Sequence, residues 1–393
     1  MTQEIYLDNN ATTQPLPEVR EAMIAVLGAD FGNPSSAHSA GDRTRERISI
    51  VRETVARLIG ANSDQIFFTS GGTEANNTVL NTIIQRSWKK SGTVRIVTTP
   101  VEHSSIIKMC DFLEGRDVEV VYAPINASGL LDWPAFESLV TPQTDLVSVQ
   151  WVNNETGVIQ PVDKIGYLCQ SRGVLFHTDA AQAVGKLPVK VLDLPVDFLT
   201  LTGHKFHGPQ GIGAIYAKAR RSLFPLLWGG SQEEGLRPGT ENVSGIVGIG
   251  RAAQLRFEGF DHVCQHLKIL RDIFEDRILS QISDVRVNGD LGNRICNTTN
   301  LMFHEVDGQA LTARLDQEGI RCSQSSACTN QRPEPSYVLR AMGLSEINAY
   351  ASVRFSFSEL NTFEEIDFVV KQIKNLCEQL RRFKRKHRLV EVP

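Results

Sequence analysis

Between residues 17 and 255, short apolar runs alternate with stretches whose apolar residues fall at helical spacing. This rhythm restricts the chain to an α/β fold built on a parallel sheet, because parallel strands need a crossover helix between them. The strand-like runs lie at 65–70, 94–98, 118–122, 146–151, 174–177, 198–201 and 213–216. The clearest helix is 43–59, which places Ile48, Val51, Val55 and Leu58 on one face before Gly60 stops it. A second helical pattern begins at Glu74.

Beyond residue 255 the texture changes. A long amphipathic stretch over 250–282 precedes strand-like segments at 285–288 and 299–303, a helix at 308–318, and a closing helix at 361–383. A chain of 393 residues exceeds what one hydrophobic core covers. The expected architecture is therefore a mostly parallel central sheet flanked by helices, with a smaller α/β domain. Residues 17–255 form the large domain, and 1–16 with 256–393 form the small one. The balance of 41 basic against 45 acidic residues argues against a nucleic-acid partner. No apolar run has membrane-spanning length, and the first ten residues, MTQEIYLDNN, lack the features of a secretory signal. A cytoplasmic enzyme is expected. Seven cysteines, an odd number without a CxxC pair, give no disulfide framework or zinc site.

Chemically loaded residues sit just past the carboxyl ends of several strands, where open α/β sheets bind ligands. In 198–218, FLTLTGHKFHGPQGIGAIYAK, Lys205 stands on a tight connection between two apolar strands. Alone, a lysine on a turn is a solvated charge. In VLFHTDAAQAVGK (174–186), Asp179 closes a strand and Gln182 follows three residues later. Asp179 suits a helix N-cap, and it equally suits a protonated ring nitrogen. Asn154 and Glu155 end another strand, while Gly71, Gly72 and Thr73 offer backbone N–H groups and a hydroxyl to a phosphate. A cofactor with a phosphate, a basic ring nitrogen and an electrophilic carbon for a lysine meets all of these requirements. Pyridoxal phosphate is such a cofactor.

Ten segments carry a resemblance to a known family: YLDNNATT, FGNPSS, FTSGGTEANN, VEHSS, WVNNETGV, HTDAAQAVGK, TGHKFHGPQGIG, RPGTEN, SSACT and EPSYVLRAMG. In this order and spacing they resemble the cysteine desulfurases, class V members of the fold-type-I pyridoxal-phosphate enzymes. The resemblance implies that Lys205 bonds covalently to the cofactor and Asp179 pairs with its ring nitrogen. Asn154 and Gln182 would lie near the ring hydroxyl, and His103 would stack on the ring face. Gly72, Thr73, Thr202 and His204 would surround the phosphate. Thr240 would reach the phosphate of a neighbouring subunit, which implies a homodimer. Asn33, Asn154 and Arg354 would meet the substrate, L-cysteine, with Arg354 gripping its carboxylate. A structural role for Arg354, holding a carboxylate within the small domain, stays open.

Residues 320–335, IRCSQSSACTNQRPEP, have neither regular period and read as an irregular loop. Cys328 lies in it, whereas Cys322 ends an apolar stretch and belongs to the core. By resemblance, Cys328 takes sulfur from cysteine as a persulfide, leaving alanine. It then passes the sulfur to an acceptor or iron–sulfur scaffold protein, where it could also contact a transferred cluster. His103 would move the proton of the substrate thiol. The family's loop commonly reads SSGSACTS, so Ser325 replaces a glycine here, and Ser358-Glu359 replaces a Gly-Arg pair. These departures bear on turnover and acceptor choice. The basic run RRFKRKHR (381–388) is either a solvated helix end or a docking site for an acidic acceptor. Two other readings stay open: a selenocysteine lyase or C–S lyase without a protein persulfide, and a non-enzymatic assembly platform on the same fold.

Overall fold

The computed structural model describes residues 4–29, 31–88, 92–219, 222–324 and 334–390. Twelve strands appear among them: β1 (Ile5–Tyr6), β2 (Ile66–Thr69), β3 (Val94–Thr98), β4 (Val118–Tyr122), β5 (Leu146–Ser148), β6 (Leu175–Asp179), β7 (Phe198–Thr202), β8 (Gly213–Ala217), β9 (Val285–Val287), β10 (Thr298–Phe303), β11 (Ile320–Arg321) and β12 (Ser352–Ser356). Seven of these form the main sheet in the order β2-β8-β7-β6-β5-β3-β4. Only β8 runs against its neighbours; all other pairings in that sheet are parallel. Strands such as β7 are buried at every position, which is why they read as continuous apolar runs rather than alternating ones.

A second sheet, β12-β10-β9, is antiparallel, and β1 pairs with β11 in a two-stranded parallel ribbon. A separate apolar core surrounds these strands, joining Ile5 and Leu7 to Phe274, Phe303, Phe355 and Phe357. The helix Val243–Gln281 serves both cores. Ile246 and Ile249 pack on the main-sheet side, and Leu267, Leu270 and Phe274 on the other. No helix among the described residues is long and apolar enough to cross a membrane.

Several element limits differ from those expected. The long helix begins at Val243 rather than 250, because glycines 245, 248 and 250 look like breaks in a sequence but are packing contacts here. A Cβ at Gly248 would lie 2.7 Å from Pro209, and one at Gly250 would lie 2.7 Å from Val51. The helix expected from Glu74 starts at Gly72, so Thr73 occupies its first turn. The last helix, Phe363–Val390, starts two residues later than expected and continues seven further. The segment 320–335 is not irregular throughout, since Ile320 and Arg321 pair with β1. Helix Ser39–Ile59 ends as expected: Gly60 adopts φ 64° and donates to Ala56 and Arg57.

Candidate active site

Lys205 lies on the turn between β7 and β8. Its Nζ donates to the carbonyls of Asn10 and Ala11 at 2.6 and 2.7 Å. The N-terminal segment therefore crosses the carboxyl edge of the main sheet and meets the lysine there. Asn10 is a hub: its carbonyl also accepts from Gln182 Nε2 at 2.9 Å, and its own amide donates to the Asn154 carbonyl at 3.0 Å. Lys205, Gln182 and Asn154, 51 residues apart at the extremes, are thus gathered around one residue.

Asp179 is the last residue of β6, the strand end where the sequence put it, and is 7% exposed. Its carboxylate accepts from Ala181 N–H at 2.9 Å and from Asn76 Nδ2 at 2.7 Å. The same Asn76 amide donates to Ser105 Oγ at 2.8 Å, and Ser105 Oγ lies 2.8 Å from His103 Nδ1. Because His103 Nδ1 also accepts the Ser105 backbone N–H, the ring proton belongs on Nε2. Burial pulls the pKa of His103 below its ordinary value, with Lys205 adding to the shift and Asp179 opposing it. His103 is therefore a neutral imidazole at neutral pH, tied through Ser105 and Asn76 to Asp179.

A cleft of about 410 Å³ opens beside these groups, lined by Ala11, Thr12, Gly71, Gly72, Thr73, Thr202 and His204, among others. The first turn of helix Gly72–Trp88 faces it, and such a turn has N–H groups without intrahelical partners. Tight backbone packing shapes its floor, since a Cβ at Gly213 would sit 2.8 Å from the Gly71 Cα. Glu74 would repel an anion, but Arg237 and the Ser70 N–H hold its carboxylate at 3.0 and 2.9 Å. Burial alone would raise its pKa; those hydrogen bonds outweigh burial and keep it below the ordinary value. Burial, aided by Lys205 and Lys186, pushes His204 down to about 4, leaving a neutral ring beside the cleft.

These features fit pyridoxal phosphate. The cleft has room for a phosphate at a helix start, Asp179 offers a buried carboxylate, and Lys205 offers an amine. Asn154 Oδ1 and Asn76 Oδ1 are buried without hydrogen-bond partners, as expected of groups that complete their bonding to a ligand. Arg354 lies close by, 5% exposed. It pairs with Asp8 at 2.5 Å and donates to the Asn154 carbonyl at 3.0 Å, while its Nε has no partner. Both readings of this arginine therefore have something to stand on, a carboxylate already held and a donor still to spend.

Other expected residues are less closely tied to this centre. Asn33 is exposed, and its side chain accepts from Ser35 N–H within its own loop. Thr240 is exposed before the long helix. Cys328 lies outside the described residues, but the chain on either side is firmly placed. Ser323 bridges Arg354 through two backbone hydrogen bonds, Ser336 Oγ bonds the Glu155 carboxylate, and Tyr337 Oη donates to the Glu102 carbonyl at 2.6 Å. Cys322 is partly buried against the second core, and burial raises its thiol pKa. Glu359, which stands where the family commonly has arginine, pairs with buried Arg256 at 2.8 Å and faces His207 Nε2 at 3.7 Å.

Sequence reasoning did not single out Asp8, Asn10, Asn76, Glu102 or Ser105. All five fall inside the quoted motifs, which is the only signal that pointed to them. Glu102 is wholly buried, accepting from Thr99 Oγ1 at 2.6 Å and from Gln150 N–H at 2.8 Å. Burial, with Asp179 adding, raises its pKa from 4.5 to about 8. The folded protein binds this proton more tightly than the unfolded chain, so the stability tied to it is present below pH 4.5. It is lost as pH rises toward 8 and is level beyond. Glu102→Gln keeps the Gln150 bond through its amide oxygen, turns the Thr99 bond round so that its amide donates to Oγ1, and removes the titration. It should raise stability at pH 8 by on the order of 2–3 kcal/mol while leaving it unchanged near pH 4. Urea unfolding of both proteins across pH 4–8 checks this, and parallel curves would refute it.

The comparisons with known proteins agree with this geometry. The aminotransferase class-V family matches residues 5–369. A cysteine desulfurase of Trichormus azollae is 43% identical over 377 residues, covering 96% of this chain and 94% of its own. The cysteine desulfurase NifS of Azotobacter vinelandii is 39% identical over 379 residues, again covering 96% and 94%. Among solved structures, a NifS-like protein superposes with a TM-score of 0.89 at 34% identity, covering 96% of this chain and all of its own. A structure described as SspA in complex with cysteine gives 0.80 at 34% identity over 92% of this chain and all of its own. By its sequence, its sheet and the groups gathered at the sheet's edge, this chain belongs to the aminotransferase class-V family.

Proposed function

We propose that this protein is a pyridoxal-phosphate-dependent cysteine desulfurase, taking sulfur from L-cysteine, releasing L-alanine and carrying the sulfur on Cys328. The observation that carries the reading is the convergence of the Lys205 amine, the Asp179 carboxylate and the helix-headed cleft on one sheet edge. Bound pyridoxal phosphate supplies an aldehyde carbon for an amine and a protonated ring that draws electrons from the substrate's Cα.

The chain's own residues do the rest. Asp179 keeps the ring nitrogen protonated, and Asn76 fixes the carboxylate's orientation. Thr73, Thr202 and His204 line the phosphate end, while Asn154 and Gln182 lie on the side of Asn10. Lys205 Nζ would hold the cofactor and would carry the Cα proton of the substrate. His103, a neutral base here, takes the proton of the substrate thiol. Arg354 Nε, still unpartnered, is available to the substrate carboxylate, and Asn33 would be a further substrate contact. The Cys328 thiolate attacks the substrate sulfur. A sulfur–sulfur bond forms, the carbon–sulfur bond breaks, and its electron pair stays with Cβ, which takes a proton to become alanine's methyl group.

The large domain, 17–255, would bear the cofactor. The small one, 1–16 with 256–393, would bear Arg354 and the approach to Cys328, a division supported by the separate core around Ile5, Phe274 and Phe355. A homodimer would bring Thr240 to the neighbouring subunit's phosphate, and the exposed Phe31 and Trp228, 83% and 82% accessible, offer apolar surface to a second copy. Delivery would be to an acceptor protein in the cytoplasm, plausible for iron–sulfur assembly, with the basic end of the last helix as a docking site.

Incubation of the cofactor-loaded enzyme with cysteine, followed by peptide mapping without reductant, tests the assignment. A 32 Da adduct, one sulfur atom by about its mass, should map to Cys328 and disappear with dithiothreitol. An adduct confined to another cysteine would refute the proposed carrier.

A further inference from the structure

Two other cysteines form a site that the desulfurase chemistry does not use. Cys264 lies on the long helix Val243–Gln281, and Cys296 lies just before β10. Both sulfurs address one oxygen, the Lys186 carbonyl, at 3.5 and 4.0 Å. They are also within hydrogen-bonding reach of each other. Both residues are partly exposed.

Their proximity is enforced rather than incidental. Arg271, two helical turns beyond Cys264, donates to the Ile295 carbonyl at 2.5 Å and so pins the residue next to Cys296. One turn further, Glu275 holds Arg294 through two bonds of 2.6 and 2.9 Å. The chain leading into β10 is thus clamped along one face of the helix, with the two thiols at one end of the clamp. Cys296 packs against both the main-sheet core and the second core.

The surroundings also suit a reactive thiol. The Cys264 hydrogen bond lowers the pKa of Cys296, with Lys186, Arg271 and Arg256 adding to the effect against burial. That same interaction raises the pKa of Cys264, which is thereby the proton donor of the pair. A thiol of lowered pKa beside a second, protonated thiol is the arrangement in which oxidation is resolved as a disulfide.

We propose that Cys264 and Cys296 are an oxidant-sensitive dithiol that closes to a reversible disulfide with hydrogen peroxide and ties the long helix to the chain leading into β10. The Cys296 sulfur attacks one peroxide oxygen, the oxygen–oxygen bond breaks, and hydroxide leaves to become water, giving a sulfenic acid. The Cys264 sulfur then attacks the Cys296 sulfur. The sulfur–oxygen bond breaks, and a second water leaves with the Cys264 proton. Two electrons pass from the two sulfurs to peroxide, and a dithiol reductant reverses the change. This inference stands apart from Cys328 and from the transfer of sulfur.

The test uses the full-length, cofactor-loaded enzyme without cysteine, treated with peroxide and then alkylated. Non-reducing tryptic digestion should yield the peptide 257–268 joined to the peptide 295–314, and dithiothreitol should separate them. The thermal midpoint of the oxidised enzyme should rise by about 3 °C, because the cross-link restricts the unfolded chain. In Cys264→Ser, peroxide should give neither the joined peptide nor the rise, and dimedone should trap a sulfenic acid at Cys296. Recovery of Cys264 and Cys296 as separately alkylated thiols, a cross-link to Cys328 instead, or an unmoved midpoint in the cross-linked enzyme would overturn the proposal.

Discussion

Lys205→Ala should lose turnover of cysteine by about 10⁴-fold or more, since in the proposed mechanism it removes both the covalent anchor of the cofactor and the amine that carries the Cα proton. The fold should survive. Lys205 sits on a partly buried turn and makes hydrogen bonds to two carbonyls, Asn10 and Ala11, whose segment is also held by Gln182 and by Ser356. Unfolding midpoints of parent and variant should therefore agree within about 1 kcal/mol of stability. The variant should still take up pyridoxal phosphate through Asp179 and the cleft, but should lose it on dialysis, and borohydride should no longer fix it to the protein. Rates of alanine formation decide the matter. Activity within tenfold of the parent would show that another amine does this work.

The second large effect is expected for Cys328→Ala. Removal of the thiol that accepts sulfur should lower alanine formation from cysteine by at least about 10²-fold. The visible absorption of the bound cofactor should remain, because Asp179 and Lys205 hold it and neither depends on Cys328. Such a split, with cofactor retained and turnover lost, separates a desulfurase from an enzyme that cleaves carbon–sulfur bonds without a protein persulfide. The latter would keep most of its activity on cysteine in this variant. Cys322→Ala is the control. Cys322 is partly buried with a pKa raised by burial, so its loss should change stability more than turnover.

Much of the site was legible because the pieces that carry chemistry are short, contiguous and placed at strand ends. Asp179 at the end of β6 and Lys205 after β7 could be read from their own segments, since a parallel sheet brings consecutive carboxyl ends to one edge. Gly71, Gly72 and Thr73 were legible for the same reason. Groups that act through a partner far along the chain were not. Nothing in VEHSS or FTSGGTEANN announces that Asn76 joins Asp179 to Ser105, and through it to His103. Arg354 read as a substrate ligand or a structural cation, and its bond to Asp8 spans 346 residues. Glu359 read as a charge reversal; in place it balances the buried Arg256.

Periodicity by itself determined the class of sheet and put Lys205 and Asp179 at neighbouring strand ends, because spacing along a strand or helix is a local property. Tertiary structure alone decided the glycine-rich start of the long helix, the Asn10 hub, the buried proton on Glu102 and the pairing of Cys264 with Cys296. Each of those depends on desolvation or on contacts between distant segments, and neither quantity exists until the chain has folded.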